Sequence, residues 1–274
     1  MSTLYARFVV ALISLLTVFF GRWRRQTILA RVHAQLAPTV TTSANGTPIT
    51  FFTPDRTSVY WPRHGLGAEP DTLEWIDGFQ AGDVFYDIGA NVGAYSVYAA
   101  KRKSVRVIAV EPNPFSFHVL TRNLALNQVF GEVTPLCLAL GARTGPGILA
   151  LKGTECGSVG HSLATEESPA GEGAIALHTQ VCRLDTLCAE MGQPPPNHIK
   201  IDVDGIEHEI LMGAEAALRN PRLKSVAVEF YTHDLPIRNR IDALLDNCGL
   251  APTGADTRAD GYSDNRLYVR RGAG

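Results

Sequence analysis

Three stretches carry residues whose types and spacing could do chemistry. The first is Val84-Phe85-Tyr86-Asp87-Ile88-Gly89-Ala90-Asn91-Val92-Gly93-Ala94-Tyr95, an apolar run that meets a glycine turn and then a helical pattern. Gly89 and Gly93 let the main chain turn tightly and let a ligand approach it closely. A helix beginning near Gly93 offers unpaired N–H groups beside that turn. Asn91 stands where a dinucleotide loop has its middle glycine, and Asp87 would repel a phosphate. The loop therefore suits a ligand without a pyrophosphate, carrying a cationic ammonium or sulfonium. The second stretch ends in Glu111-Pro112-Asn113-Pro114. Glu111 falls about 20 residues past the glycine turn, where a carboxylate accepts hydrogen bonds from both hydroxyls of a ribose. Alternatively it caps the helix that Pro114 starts. Asp87, Gly89, Ala90, Asn91, Gly93, Glu111, Pro112 and Asn113 are the candidate nucleoside-cofactor residues.

The third stretch is His198-Ile199-Lys200-Ile201-Asp202-Val203-Asp204-Gly205-Ile206-Glu207-His208. Strict alternation puts Ile199, Ile201 and Val203 on one side of a strand and Lys200, Asp202 and Asp204 on the other. Three charges on one side are tolerable near the carboxyl end of a sheet strand, where open α/β sheets hold their ligands. Two readings stand. Lys200, Asp202 and Glu207 form a charged pocket floor, with Asp202 as proton acceptor and Lys200 tuning it. Or Lys200 makes an internal ion pair with Asp202 or Glu207 that orders the turn. Asp204 and Glu229 are candidate substrate-binding carboxylates, Glu229 closing the apolar run 225–230. Clustered carboxylates such as Asp202, Asp204 and Glu229 also suit a divalent cation, although the spacing does not require one. Tyr231, His233 and Asp234 follow in a loop, either as further acid–base groups or as solvated surface.

The elements that must position these residues are legible as alternating apolar runs and helical patterns. Strands are expected over 84–88, 105–110, 133–138, 199–203, 225–230 and 266–269, and helices over 94–101, 115–127, 206–218 and 237–248. Strands without polar alternation are buried on both faces, which implies a parallel sheet covered by helices, a doubly wound α/β domain. Asp71-Thr72-Leu73-Glu74 has the spacing of a capping box and predicts a helix start near Thr72. Between Gly141 and Gln180 the pattern breaks into Gly, Ser, Thr and Glu, as an insertion or mobile flap over a site, or as a long surface loop. No internal repeat is present.

The combined motifs resemble a known family. DIGANVGAYS followed by VEPNP is similar to the cofactor loop and acidic second-strand motif of class I S-adenosylmethionine-dependent methyltransferases. KIDVDGIEHEIL, with LDTL before it and VAVE after it, resembles the FkbM-type members. The likeness runs from about Glu69 to Tyr231. It implies a Rossmann-like, mostly parallel seven-stranded sheet, S-adenosylmethionine as cofactor, and transfer of a methyl group to a hydroxyl oxygen of a small molecule, glycan or natural product. Ser158 and His161, in the Gly-rich segment, are candidates to contact the adenine or close over it, against a reading as surface residues. The family usually has Glu where this chain has Asp204, which retracts that carboxylate by one methylene. Two rival readings are a nicotinamide oxidoreductase, which would want Gly at Asn91, and a catalytically silent, membrane-tethered nucleoside-binding protein.

Composition narrows the partners. The 25 basic and 27 acidic residues of the 274-residue chain give a net charge of -2, without the basic footprint of a general nucleic-acid binder. Hydrophobic residues at 45% suffice for a core. The five cysteines form no CxxC pair, so free thiols are expected rather than a disulfide framework or a zinc site. Phe8–Phe20 is apolar on every helical face yet covers only roughly 20 Å, short of a bilayer core. Arg22, Arg24 and Arg25 follow it, the wrong order for a secretory signal and the order that keeps the downstream chain on the cytoplasmic side. The expectation is a hydrophobic N-terminal helix over 1–37, associating with a membrane through 8–25 or packing on protein. A linker with short strands at 49–52 and 58–60 spans 38–70, and the methyltransferase-like domain spans 71–274. The location expected is cytoplasmic, free or on the cytoplasmic face of a membrane.

Overall fold

The computed structural model describes residues 2–164, 171, 173–231, 235–256 and 263–272. The chain divides into two compact units, Met1–Thr39 and Val40–Gly274. The first holds two helices, Ser2–Thr17 and Arg22–Gln35. Thr17 turns its hydroxyl back onto the Ile13 carbonyl at 2.8 Å and receives Arg25 Nε at 3.3 Å. Among the described residues no helix is long and apolar enough to cross a membrane.

The second unit opens with strands β1 (Thr39–Ala44) and β2 (Thr47–Phe52), paired as a hairpin. Asn45 and Gly46 make its turn with φ of 46° and 79°, the left-handed pair that a tight hairpin demands. The hairpin is not a free linker strand. Ile49, Phe51 and Phe52 are buried. Two asparagines of helix Pro114–Asn127 satisfy its edge: Phe52 N donates to Asn123 Oδ1 at 2.7 Å and Thr50 N to Asn127 Oδ1 at 3.0 Å. No strand forms over 58–60. Ser58 instead closes a turn on Asp55, donating its N–H to Oδ1 at 2.8 Å, and the chain enters a π-helical turn, Trp61–Gly65. The next long helix starts at Pro70, two residues before the expected Thr72, because proline suits the first helical position and Thr72 bonds back to Glu69 Oε2 instead.

The main sheet contains β3 (Val84–Ile88), β4 (Arg106–Val110) and β5 (Val133–Leu136). A second sheet is built from β6 (Ala139–Leu140), β7 (Gly145–Leu151), β8 (Ser162–Leu163) and β9 (Ile175–Cys182). The chain returns to the main sheet with β10 (His198–Ile201), β11 (Ser225–Tyr231), β12 (Leu250–Asp256) and β13 (Ser263–Arg270). The order is β12-β13-β11-β10-β3-β4-β5, with β13 antiparallel to both its neighbours and the inner strands parallel. This is the Rossmann-like, mostly parallel seven-stranded sheet implied by the motifs. The chain runs outward from β3 through β4 to β5, and from β10 to β11 the other way. The order reverses between β3 and β10, and a crevice opens there at the strands' carboxyl ends.

Alternate residues serve the two faces. Tyr86, Ile88, Ile108, Val110, Ile199, Ile201 and Val226 pack into one cluster with Leu211, Leu218 and Leu245. On the other face Phe79 stacks on His198, ring centroids 3.8 Å apart. Burial pushes His198 down to about 4, and the ring sits neutral between Ser225 Oγ at 2.7 Å and Asp83 Oδ2 at 3.0 Å. The helix expected over 206–218 is two helices, Glu207–Met212 and Glu215–Arg219. Asp185 accounts for the break: its carboxylate accepts Ala216 N and Ala217 N, both at 3.0 Å, and so caps the second piece. Residues 141–180, expected as a flap or a long surface loop, contribute the antiparallel strands β7, β8 and most of β9, with 152–161 outside regular structure between β7 and β8, and 165–170 and 172 outside the described residues. All five cysteines are free.

Candidate active site

The turn after β3 is shaped by a close approach of two strand ends. Gly89 has φ +81°, and a Cβ there would lie 1.9 Å from the Asp202 carbonyl oxygen beyond β10. Only glycine fits. Gly89 N and Ala90 N both donate to the Val110 carbonyl at 3.0 Å, tying the turn to β4. Gly93, also left-handed at φ 78°, starts helix Ala94–Lys103. This bracing leaves Asn91 N free to donate to Glu111 Oε2 at 2.8 Å, while Asn113 N donates to Glu111 Oε1 at 2.8 Å. Glu111 is therefore not the cap of the helix at Pro114. Asn113 is, accepting Phe115 N at 3.0 Å. Burial raises Glu111 to about 7, against the opposing pull of its two N–H donors.

A cavity of about 300 Å³ opens above these residues at the carboxyl ends of β3, β4, β10 and β11. Gly89, Asn91, Glu111, Pro112 and Asn113 line it on one side, and Asp202, Asp204, Glu207 and Glu229 on the other. Ile88, Val110 and Leu140 add apolar wall. Two buried polar atoms on lining residues, Asn91 Oδ1 and Asn113 Nδ2, have no hydrogen-bond partner. Such orphans are costly unless a ligand completes them.

Four expected site residues lie off the cavity wall. Ala90 and Gly93 shape the turn without lining it, and Asp87 and Lys200 lie in the sheet, side by side in register on β3 and β10. Asp87 is buried and receives Ser96 Oγ at 2.5 Å. Burial raises its pKa, against the opposing pull of Lys200 and Ser96. Lys200 is buried as well, its ammonium on Asp202 Oδ2 and 4.9 Å from the Tyr95 ring centroid. Burial opposes its charge, but Asp202, Glu69, Asp87 and Glu229 together outweigh that and raise its pKa. The alternation of 199–203 set the side of the sheet that these groups occupy, not their depth. Glu207, buried at the foot of its helix, accepts Gly205 N at 3.0 Å, and burial raises it to about 7. Among the described residues no three His, Cys, Asp or Glu side chains converge to hold a metal ion. His233, Asp234 and the side chain of Tyr231 lie outside the described residues.

A strap over 155–161 crosses the cavity mouth. Trp61 Nε1 donates to Gly157 O at 3.1 Å, Cys156 N to Asp55 Oδ2 at 2.8 Å, and Gly160 N to Asp204 Oδ2 at 2.8 Å. Ser158 and His161 line the cavity, bonded to each other at 2.8 Å. Lys152 N donates to His161 Nδ1, so a neutral ring carries its proton on Nε2 toward Ser158. Trp61, which lines the cavity from the π-helical turn, was missed by sequence reasoning. Its one signal is an aromatic residue in a Pro- and Gly-rich stretch.

Comparison with known proteins places this architecture. The chain is 30% identical over 175 residues to the hexuronic acid methyltransferase AglP of Haloferax volcanii, covering 62% of this chain and 66% of that protein. It is 27% identical over 235 residues to the 31-O-demethyl-FK506 methyltransferase FkbM of Streptomyces tacrolimicus, covering 77% and 85%. The crystal structure of methyltransferase FkbM from Methylobacillus flagellatus KT superposes with a TM-score of 0.52 at 15% identity, over 78% of this chain and 53% of that one, which shows a shared fold. The chain thus spans just under two thirds of AglP and about half of that solved structure. The Methyltransferase FkbM domain model matches residues 87–250, and the chain belongs to that family of S-adenosylmethionine-dependent methyltransferases.

Proposed function

We propose that this protein transfers a methyl group from S-adenosylmethionine to a hydroxyl oxygen of a glycan, natural product or other small molecule. The observation that carries the reading is the Glu111 carboxylate, pinned by two main-chain N–H groups at the cavity wall between the orphan atoms Asn91 Oδ1 and Asn113 Nδ2. That set fits a nucleoside: carboxylate oxygens for ribose hydroxyls, and one acceptor and one donor for further polar edges. S-Adenosylmethionine, when bound, supplies a methyl group activated on a sulfonium. The protein's share is then proximity, alignment and removal of one proton.

Asp202, Glu207 and Glu229 offer the acceptor oxygens that would orient the substrate hydroxyl. Asp202 has one oxygen engaged by the Lys200 ammonium, which fixes its carboxylate for orientation. Glu207 suits proton removal better. Its pKa of about 7 keeps a base available near neutral pH while still favouring uptake of the proton released as the C–O bond forms. Lys200 then acts as a positioning residue beneath the floor. Asp204 holds the strap through Gly160 N, so its shortened arm, compared with Glu, serves closure of the mouth as well as any substrate contact. The relatives' names point to hydroxyls of hexuronic acids and macrolides as acceptor classes to try.

The test is incubation of the full chain with methyl-labelled S-adenosylmethionine and a panel of uronic-acid oligosaccharides, hydroxylated polyketides and fractionated cell extract. The expected result is label on oxygen, lost in Glu207→Gln. Bound cofactor with no label on any hydroxyl would favour a silent nucleoside-binding protein and overturn the proposal.

A further inference from the structure

The N-terminal unit carries an unusual distribution of charge and apolar surface. Five of the 25 basic residues and none of the 27 acidic ones fall within 1–39, so that stretch carries +5 and the remainder -7. Its helix Ser2–Thr17 exposes Leu4, Phe8, Val10, Leu12, Leu15 and Leu16, each at least 44% accessible. All but Val10 form, with Tyr5 and Val9, a broad apolar arc that leaves Thr3, Arg7, Ser14 and Thr17 on the remaining side. Soluble proteins seldom leave a contiguous apolar surface of that kind uncovered. The four arginines after it, Arg22, Arg24, Arg25 and Arg31, follow along the chain rather than occupying an opposite face.

We propose that this unit docks on the surface of a bilayer containing anionic lipid, with helix Ser2–Thr17 lying along the hydrocarbon boundary and the arginines of 22–31 on the headgroups. The direction of segregation argues for lipid over a protein groove. A protein groove covers one side of a helix, whereas the apolar arc here is wider than one side, and its polar stripe of Thr3, Arg7, Ser14 and Thr17 would turn toward the headgroups of a leaflet. A broad apolar arc followed by a basic segment suits a helix lying along the boundary between hydrocarbon and anionic headgroups. Trp23 is 79% exposed among those arginines, as an interfacial indole is, with its ring in the hydrocarbon boundary and its N–H toward water. The Thr17 hydroxyl is satisfied within its own helix by Ile13 O, so it brings no unpaired polar group into the lipid. Sixteen residues span about 24 Å against a hydrocarbon core of about 30 Å, too short to cross it. Arg7 lies on the polar side, so with the helix along the boundary its guanidinium reaches the headgroups.

The test is flotation of the full chain with vesicles of phosphatidylcholine alone or with one third phosphatidylglycerol, at low and high salt, with S-adenosylmethionine binding measured on the same samples to report the folded domain independently. The expected result is binding to the anionic vesicles that weakens with salt. Arg22→Gln/Arg24→Gln/Arg25→Gln should lower the partition by on the order of a hundredfold, about fivefold for each charge. Leu12→Asp/Leu16→Asp should abolish it. Equal partition into both vesicle types, no partition into either, or self-association through this unit that persists in the presence of vesicles would each overturn the proposal.

Discussion

Replacing Glu207 by Gln isolates a single buried carboxyl. The residue is 4% exposed, and burial raises its pKa from 4.5 to about 7. Gln keeps an oxygen for the Gly205 N–H, so the packing changes little. The sign follows from the direction of the shift. A carboxyl that binds its proton more tightly in the folded state stabilises the fold most below pH 4.5, and that stability is lost as pH rises through about 7. The shift corresponds to about 3 kcal/mol at full burial. Glu111, raised to a similar value, adds the same trend, and His198, pushed down to about 4, adds the opposite one. Both remain in wild type and variant alike and cancel in the difference. Urea unfolding of cofactor-free protein at pH 4.5 and pH 8 should show wild type losing up to about 3 kcal/mol relative to Glu207→Gln. Methyl transfer by wild type should rise with pH and level off above about 7, and the variant should lose roughly 10²–10⁴ in rate together with that rise. Parallel stability curves would mean that Glu207 ionises as it would in water, and the assignment of the buried proton acceptor would fail.

Three further outcomes are expected. Gly89→Ala places a methyl 1.9 Å from a main-chain oxygen at φ +81°, so it should cost at least about 2 kcal/mol in thermal unfolding and abolish cofactor binding by calorimetry. Lys200→Met leaves Asp202 and Asp87 without their buried cation and should destabilise by about 3–5 kcal/mol at pH 7 in urea titration, with less loss at pH 5, where carboxyls neutralise more easily. Asn123→Ala removes the acceptor of Phe52 N and the donor to Val92 O, costing about 2–4 kcal/mol, and hydrogen exchange at the Phe52 amide should accelerate.

The sheet could be read from the sequence because its inner strands are short apolar runs buried on both faces and its helices repeat at the helical period. Of the hairpin of residues 39–52, the run 49–52 was legible as a strand, while its partner 39–44 was obscured by threonine-rich composition, although Asn45-Gly46 marks the turn between them. Strand β12 gave no signal, since Pro252 and Gly254 interrupt it and an outer strand needs little apolar content. The cavity residues of 89–113 follow one another in the chain and show a local motif. Trp61 and the strap 155–161 reach the cavity through contacts 96 and 44 residues apart, which no local pattern records. Depth was equally invisible. Alternation set Lys200 and Asp202 on one side of β10, but only the packing of Tyr95 and Asp87 around it puts the lysine beneath the floor.

The central claim is that the cavity at the carboxyl ends of β3 and β4 holds S-adenosylmethionine through Glu111. Calorimetric titration of the purified chain with S-adenosylmethionine, repeated on Glu111→Ala with its fold checked by circular dichroism, tests it directly. The account predicts one site per chain in the wild type. Affinity should fall at least tenfold in the variant, since each hydrogen bond to the carboxylate is worth about 1.5–3 kcal/mol. Absence of binding heat in the wild type, or equal affinity in the folded variant, would contradict it.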